Sequence, residues 1–394
     1  RDLHSFPTRR SSDLFFIVEL TTAAVYYYTW GRIPDRLHLQ VGWLYAAASF
    51  ATLVIINGIL TFMLTPGQAW LSVAGTGQEP GMFLRAFFNP TYWPSLALRT
   101  LSCVALAGVW ALVTGSRIDG RQQPVLKRQW IRWSTLWLVP GFLLMPICLW
   151  WYVSRVPAEQ LQLLQLGIST IGAGTFTQVT RTLLVSVMAS ATILAVAYLA
   201  AYRKPEQFRL GGALTVLLLG LAATGSAEMA RELLRKPYVV VDYMYSNGVR
   251  KVAIQRDGQT QRELERFNQD GYLARSLWVR AAERQAWKAV TAGSGEGDLT
   301  HVDETGLARG ELMFRGQCLA CHTIDGYRSM RRLLHDRNEQ AISNIVAMLH
   351  KHEADSPYRA FMPPLVGTQA ERDALAAYLN HVAHGQAAAN SAGL

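Results

Sequence analysis

The feature that most constrains the fold of this chain is a series of long apolar segments in its first 228 residues. They lie near residues 15–31, 39–64, 94–115, 130–154, 179–202 and 210–228. Most reach the ~20 residues that an α-helix needs to cross a bilayer, and the first and the last are close to the lower limit. Soluble helices of this length have a polar face, which these segments lack. The sequence therefore predicts a bundle of six transmembrane helices.

Lysine and arginine residues are divided unevenly between the loops of this bundle. One set of loops carries ten of them: Arg32, Arg36, Arg117, Arg121, Lys127, Arg128, Arg132, Arg203, Lys204 and Arg209. The alternate loops carry Arg85 and Arg155. Because cytoplasmic loops hold the excess of positive charge, the first set is predicted to be cytoplasmic. Six crossings then place the chain beyond residue 228 on the outer side.

The C-terminal part contains the run Cys318-Leu319-Ala320-Cys321-His322. Thiols three positions apart lie on one helical turn, where both can add to the vinyl groups of a haem, and the adjacent histidine can bind the iron. This pattern is typical of c-type haem attachment. A zinc half-site or a redox dithiol is the alternative, but zinc needs two further ligands at a fixed spacing. The run therefore predicts one covalent haem c with His322 as an axial ligand of the iron.

Met362, within a Met-Pro-Pro segment about forty residues later, is the candidate for the second axial ligand. Methionine with histidine is the ligand pair of electron-transfer cytochromes with a raised potential. Met330 and Met348 are rivals, although methionine at such positions more often fills a core. His350 and His352 are further rivals, but a His-Lys-His run is more typical of a charged surface.

The chain divides into five predicted segments. Residues 1–14 resemble a translated sequencing adapter and are interpreted as non-native, 15–236 form the membrane domain, 237–302 a connector and linker, 303–386 a cytochrome c domain and 387–394 a tail. The predicted fold class is mostly α, a transmembrane helical bundle plus a small all-α cytochrome c domain.

Local patterns refine the second half of the chain. Residues 306–314 and Glu371–Val382 are predicted helices on either side of the haem motif and the Met-Pro segment. This arrangement resembles the class I cytochrome c fold. In the connector, Tyr238–Tyr245 is predicted to be extended, Gln261–Val290 helical, and residues 292–297 a flexible linker.

Charge and cysteine content limit the remaining interpretations. The net charge of +10 raises the question of nucleic acid, but much of it lies in the three short cytoplasmic loops, so no nucleic-acid partner is predicted. Cys103 and Cys148 lie in apolar runs and are expected in the core. Covalent haem implies an oxidising compartment, so the expected location is the bacterial cytoplasmic membrane with the cytochrome domain on the periplasmic side.

Ionisable residues interrupt the apolar segments near their predicted outer ends. They are Glu19, Arg99 and Arg181, with Glu232 just past the last segment and Glu228 as its rival. Intramembrane charges are costly and either pair or mark a functional path. One interpretation is paired interfacial charges, with arginines extending towards water. The other is a polar outer-leaflet site that binds haem or relays protons.

Three stretches carry a resemblance to a known family. Residues 19–38 resemble the third transmembrane helix of subunit I of cytochrome bd-type quinol oxidases, 88–90 with 99–100 resemble its fifth, and 232–238 resemble its Glu-x-Gly-Arg-x-Pro-Trp motif. The resemblance covers about residues 15–250. It is greater to the bd-like proteins that carry a fused C-terminal cytochrome c domain.

The resemblance implies roles and also departures from them. Glu19 and Glu232 match glutamates at the high-spin haem site of such oxidases. Arg99 stands where the low-spin haem has its histidine, and Leu183, just after Arg181, stands where that haem has its methionine. A low-spin b haem and quinol oxidation of the usual kind are therefore not implied. A b- or d-type haem is expected only if residues preceding this sequence supply a ligand.

These observations predict a membrane-anchored monohaem c-type cytochrome that transfers single electrons in a bd-like respiratory complex. Its expected partners are the membrane and other respiratory-chain subunits or cytochromes, and it would be an enzyme only as part of a terminal oxidase. The alternative is a redox-inactive membrane anchor that docks the cytochrome domain, with Arg99 and Arg181 paired to Glu19 and Glu232. A quinol dehydrogenase would need a quinone site that the sequence does not reveal.

Overall fold

The computed structural model describes residues 7–161, 178–256, 258–279, 306–356 and 358–391. The chain folds as two compact units, one made of residues up to 68 together with 83–234, and the other of 69–82 together with 235 onward. The fold class is mostly α, as predicted, and the described strands form two small two-stranded sheets.

The helices as far as residue 234 follow the apolar segments. They are α1 (Pro7–Tyr28), α2 (Asp35–Leu64), α3 (Gln68–Leu71), α4 (Phe83–Phe87), α5 (Tyr92–Ser116), α6 (Pro124–Val153), α7 (Gln178–Val196) with a π-helical end (Ala197–Tyr202), and α8 (Leu210–Leu234). Short 3₁₀ turns lie at Glu79–Met82 and Pro205–Gln207.

Five of these helices are long and apolar enough to cross a membrane. They span Asp35–Leu64, Tyr92–Ser116, Pro124–Val153, Val179–Tyr202 and Leu210–Leu234. Five of the six predicted spans are thereby confirmed as candidates. The sixth corresponds to α1, whose apolar part, Leu14–Tyr28, is shorter than the others. Because α1 precedes the first basic loop, the side of the membrane predicted for the C-terminal half does not depend on whether α1 crosses.

Small residues let the helices of the first unit approach closely, as is common in membrane bundles. A Cβ atom at Gly108 of α5 would lie 2.9 Å from the Cβ atom of Trp137 on α6, and one at Gly141 of α6 would lie 3.2 Å from that of Ala105.

The predicted burial of Cys103 is wrong, since this side chain is exposed on the surface of the bundle.

A buried polar network joins α2 to the start of α5. Asn57 donates to the carbonyl oxygen of Tyr92 at 3.0 Å, and Asn89 donates to the hydroxyl oxygen of Thr61 at 2.9 Å. The hydroxyl groups of Thr65 and Thr91 lie 2.6 Å apart. Every polar group named here has a partner, so the network orients the two helices without leaving an unsatisfied donor in an apolar setting.

The second unit contains the remaining elements. They are β1 (Tyr238–Val240), β2 (Met244–Tyr245), β3 (Ile254–Arg256), β4 (Gln259–Gln261), α9 (Glu263–Asp270), α10 (Tyr272–Arg275), α11 (Leu307–Gln317), α12 (Met330–Leu334), α13 (Glu339–Lys351) and α14 (Gln369–Ser391). The helices expected before the cysteines and after the Met-Pro segment are therefore confirmed as α11 and α14. Helices α12 and α13 were not among the expected elements.

Residues from the expected connector belong to the core of this unit. Tyr245, Val249 and Leu273 are buried in the same cluster as Phe314 of α11 and Leu375 of α14. The described part of 237–302 therefore packs as part of the second unit.

The helix expected over Gln261–Val290 is confirmed in part within its described residues, which form two shorter helices, α9 and α10. Gly271, at a φ of 89°, separates α9 from α10. A positive φ is readily adopted by glycine and ends a helix. The carboxylate of Glu371 accepts the backbone N–H groups of Tyr272 and Leu273, each at 2.9 Å, and so holds the start of α10. Residues 280–305, which include the expected linker at 292–297, lie outside the described residues.

The loop between α2 and α5 also contributes to the second unit through residues 69–82. The rings of Trp70 and Tyr243 meet edge to face at a centroid distance of 5.0 Å. The carbonyl oxygen of Gly75 accepts a hydrogen bond from the backbone N–H of Gln255 at 2.8 Å. This loop and the C-terminal residues therefore form one packed structure.

Candidate haem-attachment site

The two cysteines and the histidine of the haem motif lie on one tight turn. Helix α11 ends at Gln317, and the carbonyl oxygen of Cys318 then accepts the backbone N–H groups of Cys321 and His322 at 3.0 and 2.9 Å. Burial raises the pKa of the Cys318 thiol to about 12, so the free thiol is protonated at neutral pH. Lys236 donates a hydrogen bond from Nζ to Sγ of Cys321 at 3.3 Å.

His322 is oriented by a backbone carbonyl. Its Nδ1 atom lies 3.1 Å from the carbonyl oxygen of Arg328, which accepts the Nδ1–H proton of the neutral ring. Burial lowers the pKa of His322 more than the hydrogen bond to the carbonyl of Arg328 raises it, and the charges of Arg328 and Lys236 add to the lowering. The ring is therefore neutral near pH 7, with the lone pair of Nε2 available to a metal.

The acceptor for His322 is positioned by a local turn. Thr323 donates from its backbone N–H and its hydroxyl to the carbonyl oxygen of Tyr327, at 3.1 and 2.9 Å. Arg328 follows with a φ of 47°, in the left-handed region that non-glycine residues seldom adopt. An unfavourable backbone conformation is thus maintained at the residue whose carbonyl sets the tautomer of His322.

Met362 lies at the end of a turn and is half-buried. Its backbone N–H donates to the carbonyl oxygen of Tyr358 at 2.8 Å, and its carbonyl oxygen lies 3.3 Å from Nε2 of His352. Of the rival methionines, Met330 packs against the core of the unit and Met348 is exposed on α13. Neither observation identifies an iron ligand, so Met362 stays the predicted ligand, with Met330 and Met348 as rivals.

The segment after Met362 is held from several directions. The side-chain amide of Gln317, the residue before Cys318, donates to the carbonyl oxygen of Val366 at 2.8 Å and accepts its N–H at 3.0 Å. The backbone N–H of Gly367 donates to the side-chain oxygen of Asn268 at 3.0 Å. Residues 361–367, called the methionine segment below, are thereby coupled directly to α9 and to residues 318–322, called the cysteine turn.

His350 and His352 differ from the charged surface run expected at these positions. Both are half-buried, and each places a ring nitrogen on a carbonyl of the methionine segment, Nδ1 of His350 lying 2.9 Å from the oxygen of Leu365. Burial lowers the pKa of both rings. The two histidines therefore act as neutral hydrogen-bonding groups that join α13 to this segment.

The lowered pKa of His350 predicts a loss of stability in acid. The unfolded chain takes up this proton near pH 6.5, whereas the folded unit, in which burial and the charge of Arg372 disfavour the imidazolium ion, takes it up only at lower pH. The free energy of unfolding of the second unit should therefore fall as the pH is lowered from about 7.5 to about 5. Denaturant titration of the full chain at these two pH values measures the difference.

The variant His350→Gln should lose part of this pH dependence, because glutamine can still donate to the carbonyl of Leu365 but does not titrate. His335→Gln is the control, since His335 is an exposed histidine of the same unit. An unchanged pH dependence in His350→Gln would contradict the assignment.

The charged residues of the first unit have partners that differ from those expected. Arg99 of α5 pairs with Glu228 of α8, with 2.5 Å between Nη2 and Oε1, and Glu228 also accepts from Arg231 at 2.8 Å. Glu19 of α1 accepts a hydrogen bond from the hydroxyl of Ser49 at 2.8 Å. The expected pairing of Arg99 with Glu19 or Glu232 is thus replaced by one with Glu228, the rival glutamate. Arg181 is exposed on α7, and Glu232 is half-buried on α8.

These helices and their charges can be compared with known proteins. Residues 12–147 match the family model for cytochrome bd terminal oxidase subunit I. A comparison with curated proteins gives no match. The matched residues include most of α1 together with α2, α5 and most of α6. They contain Glu19 and Arg99 but end before Arg181 and Glu232. With five candidate spans, the match indicates a multi-pass membrane protein of the respiratory chain whose N-terminal part is similar to subunit I.

Similarity to subunit I implies a haem within the membrane. Residues 15–234, however, do not fit a haem held by two histidines. Between residues 15 and 234 the sequence contains a single histidine, His38. Its ring stacks on Tyr26 at a centroid distance of 4.2 Å and meets Trp30 edge to face at 4.9 Å. Arg99, which the resemblance aligns with an axial histidine, is paired with Glu228.

The residues of the cysteine turn, in contrast, fit a covalently attached haem. Two thiols on one turn precede a neutral histidine whose Nδ1–H is already bound to a carbonyl, which is the orientation that metal-ligating histidines use. Within the described residues, no group of three or more His, Cys, Asp or Glu side chains is arranged to hold a metal ion. The zinc alternative therefore lacks its further ligands in this part of the chain.

Proposed function

We propose that this chain is a membrane-anchored c-type cytochrome that transfers single electrons within a bd-like respiratory complex. The observation that carries the proposal is the hydrogen bond from Nδ1 of His322 to the carbonyl of Arg328, which orients the histidine of a C-x-x-C-H turn as an iron ligand. The match of residues 12–147 to subunit I supports the respiratory context.

Each residue of the site has a distinct role in this proposal. The thiols of Cys318 and Cys321 would form the two thioether bonds, Nε2 of His322 and the sulfur of Met362 would bind the iron, and the carbonyl of Arg328 maintains the tautomer of His322. A haem bound in this way supplies one-electron redox chemistry. Gln317 keeps the two ligand-bearing segments at a constant separation through its paired hydrogen bonds to Val366.

The packing of residues 69–82 with the C-terminal residues supports an outer, periplasmic location for the haem site. Residues that pack into one unit must lie on the same side of a membrane. The loop between α2 and α5 is poor in basic residues, which is typical of an outer loop. Trp70 and Gly75 of that loop contact Tyr243 and Gln255 of the second unit. The contact supports a shared side for this loop and the haem site, and the charge distribution of the loops supports the outer side.

The redox-inactive anchor is the second candidate for the membrane part, and the ion pair between Arg99 and Glu228 favours it. The pair neutralises an arginine at the position matched to a haem-ligating histidine. A salt bridge satisfies both side chains at this depth without a cofactor. In this case haem c is the single redox group, and the bundle serves to dock it to a partner complex.

A pyridine haemochrome assay on the intact purified chain tests the proposal and separates the two candidates. The sample is first extracted with acidified acetone, which removes haem that is not covalently bound. We expect one equivalent of c-type haem in the protein that remains after extraction. Haem b or d in the extract would favour a membrane haem, whereas an extract without haem would favour the anchor.

Two results, one from this assay and one from protease digestion, would overturn the proposal itself. The first is the absence of covalent haem from a chain matured in cells that attach haem c to other proteins. The second is a C-terminal unit that resists added protease in right-side-out spheroplasts but is digested in inverted vesicles, since the unit would then face the cytosol.

A further inference from the structure

Asn247 lies outside the haem motif, yet its side chain contacts the methionine segment. It follows β2 in the turn between Tyr245 and Val249, and it is 7% exposed. Its Nδ2 atom donates to the carbonyl oxygen of Pro364 at 2.9 Å, and its Oδ1 atom accepts the backbone N–H of Val249 at 3.3 Å. The turn is itself restrained, because the N–H of Tyr245 donates to the carbonyl of Val249 at 2.9 Å.

The position of this contact matters because Pro364 is two residues after Met362. Proline has no N–H group and a nearly constant φ, so Pro363 and Pro364 can be held only through their carbonyl groups and side chains. Because two φ angles between them are nearly constant, a displacement of the Pro364 carbonyl also displaces Met362. On its other side Met362 is held by the hydrogen bonds of its own peptide groups to Tyr358 and His352.

We propose that Asn247 is a positioning residue for Met362, so that the segment 238–249 is part of the structure that keeps the methionine on the haem iron. The inference rests on the proposed function, because it assumes that Met362 is the axial ligand. It assigns a ligand-holding role to a segment that lies far upstream of the haem motif in the sequence.

The substitution Asn247→Asp isolates the contact with Pro364. Aspartate has the size of asparagine and still accepts the N–H of Val249, but it presents an oxygen instead of an N–H to the carbonyl of Pro364. A buried carbonyl that loses its donor and faces a carboxylate is strongly disfavoured. Asn247→Ala removes the donor without adding charge and serves as the second variant. The matched control is Asn344→Asp on the exposed face of α13, where Gln340 donates to the side chain of Asn344.

The experiment measures displacement of the methionine ligand in the full-length ferric protein by added imidazole. The readout is loss of the weak red-region absorption band of methionine-ligated ferric haem. We expect Asn247→Asp to bind imidazole with an apparent Kd about tenfold lower than that of the unsubstituted chain, equivalent to about 1.4 kcal/mol. Asn247→Ala should show a smaller change in the same direction, and Asn344→Asp should show none.

The reference variant Met362→Ala separates a failure of this inference from a failure of the proposed function. If Met362→Ala keeps the band, Met362 is not the ligand and the assumption is wrong. If Met362→Ala loses the band while both Asn247 variants bind imidazole as the unsubstituted chain does, Asn247 is not a positioning residue. A lower unfolding midpoint in these variants with unchanged imidazole affinity would show a structural role alone and would also overturn the proposal.

Discussion

Replacement of Cys318 by alanine should abolish stable covalent attachment of haem. Cys318 and Cys321 lie on one hydrogen-bonded turn, and in the proposed function each would contribute one thioether bond. With one thiol removed, a haem would be held through Cys321 alone, and a single thioether bond would not retain it stably. We expect the haem stain of the full-length chain on a denaturing gel to be lost, while the chain remains in the membrane.

The matched control for this prediction is Cys148→Ala. Cys148 is a half-buried cysteine of α6 in the first unit, outside the haem motif, and its removal should leave the stain unchanged. A normal stain in Cys318→Ala would show that the cysteine turn does not carry the haem, and the proposed function would fail with it.

Replacement of Gly310 by valine should unfold much of the second unit. A Cβ atom at Gly310 would clash with the carbonyl oxygen of Ala374 and would lie 2.5 Å from the Cβ atom of Tyr378, both on α14. These are backbone and near-backbone atoms, so α11 and α14 would have to move apart. The rings of Phe314 and Tyr378, 5.9 Å apart, pack beside this crossing. We expect a loss of at least about 3 kcal/mol in the free energy of unfolding, at the upper end of overpacking effects.

Denaturant titration of the full chain measures this loss. Ala308→Val is the control, because Ala308 is exposed on the same helix and the substitution adds the same cost of a β-branched residue. Equal stabilities for Gly310→Val and Ala308→Val would mean that the close crossing of α11 and α14 does not exist in solution.

Much of the membrane half could be predicted because its signals are local. Twenty apolar residues in a row determine a spanning helix regardless of their neighbours, and five of the six predicted segments are long enough to qualify. Helix α1 is the exception, since its apolar part, Leu14–Tyr28, is shorter than a candidate span. Charge pairing was less predictable. The sequence identified Arg99, but its partner depended on which of two glutamates one helical turn apart faces α5.

The cysteine turn was also predictable, since its chemistry depends on residues that are adjacent in sequence. Its supporting contacts were not. Gln317, Asn247 and Asn268 belong to no motif, and the hydrogen bond from Asn247 to Pro364 joins residues 117 positions apart. The connector expected at 237–302 likewise contained no local indication that Tyr245 and Leu273 would be buried beside α11.

The sequence by itself determined the elements whose cause lies within a few residues: the apolar helices, the predicted side of their loops and the pair of thiols beside a histidine. Only the tertiary structure decided which distant groups meet, such as Glu228 with Arg99, the 69–82 loop with Tyr243, and the side chains that hold the segment after Met362. The reason is physical. Hydropathy and helical periodicity act on neighbouring residues, whereas a buried hydrogen bond or ion pair depends on how complete elements pack, and packing is a property of the whole unit.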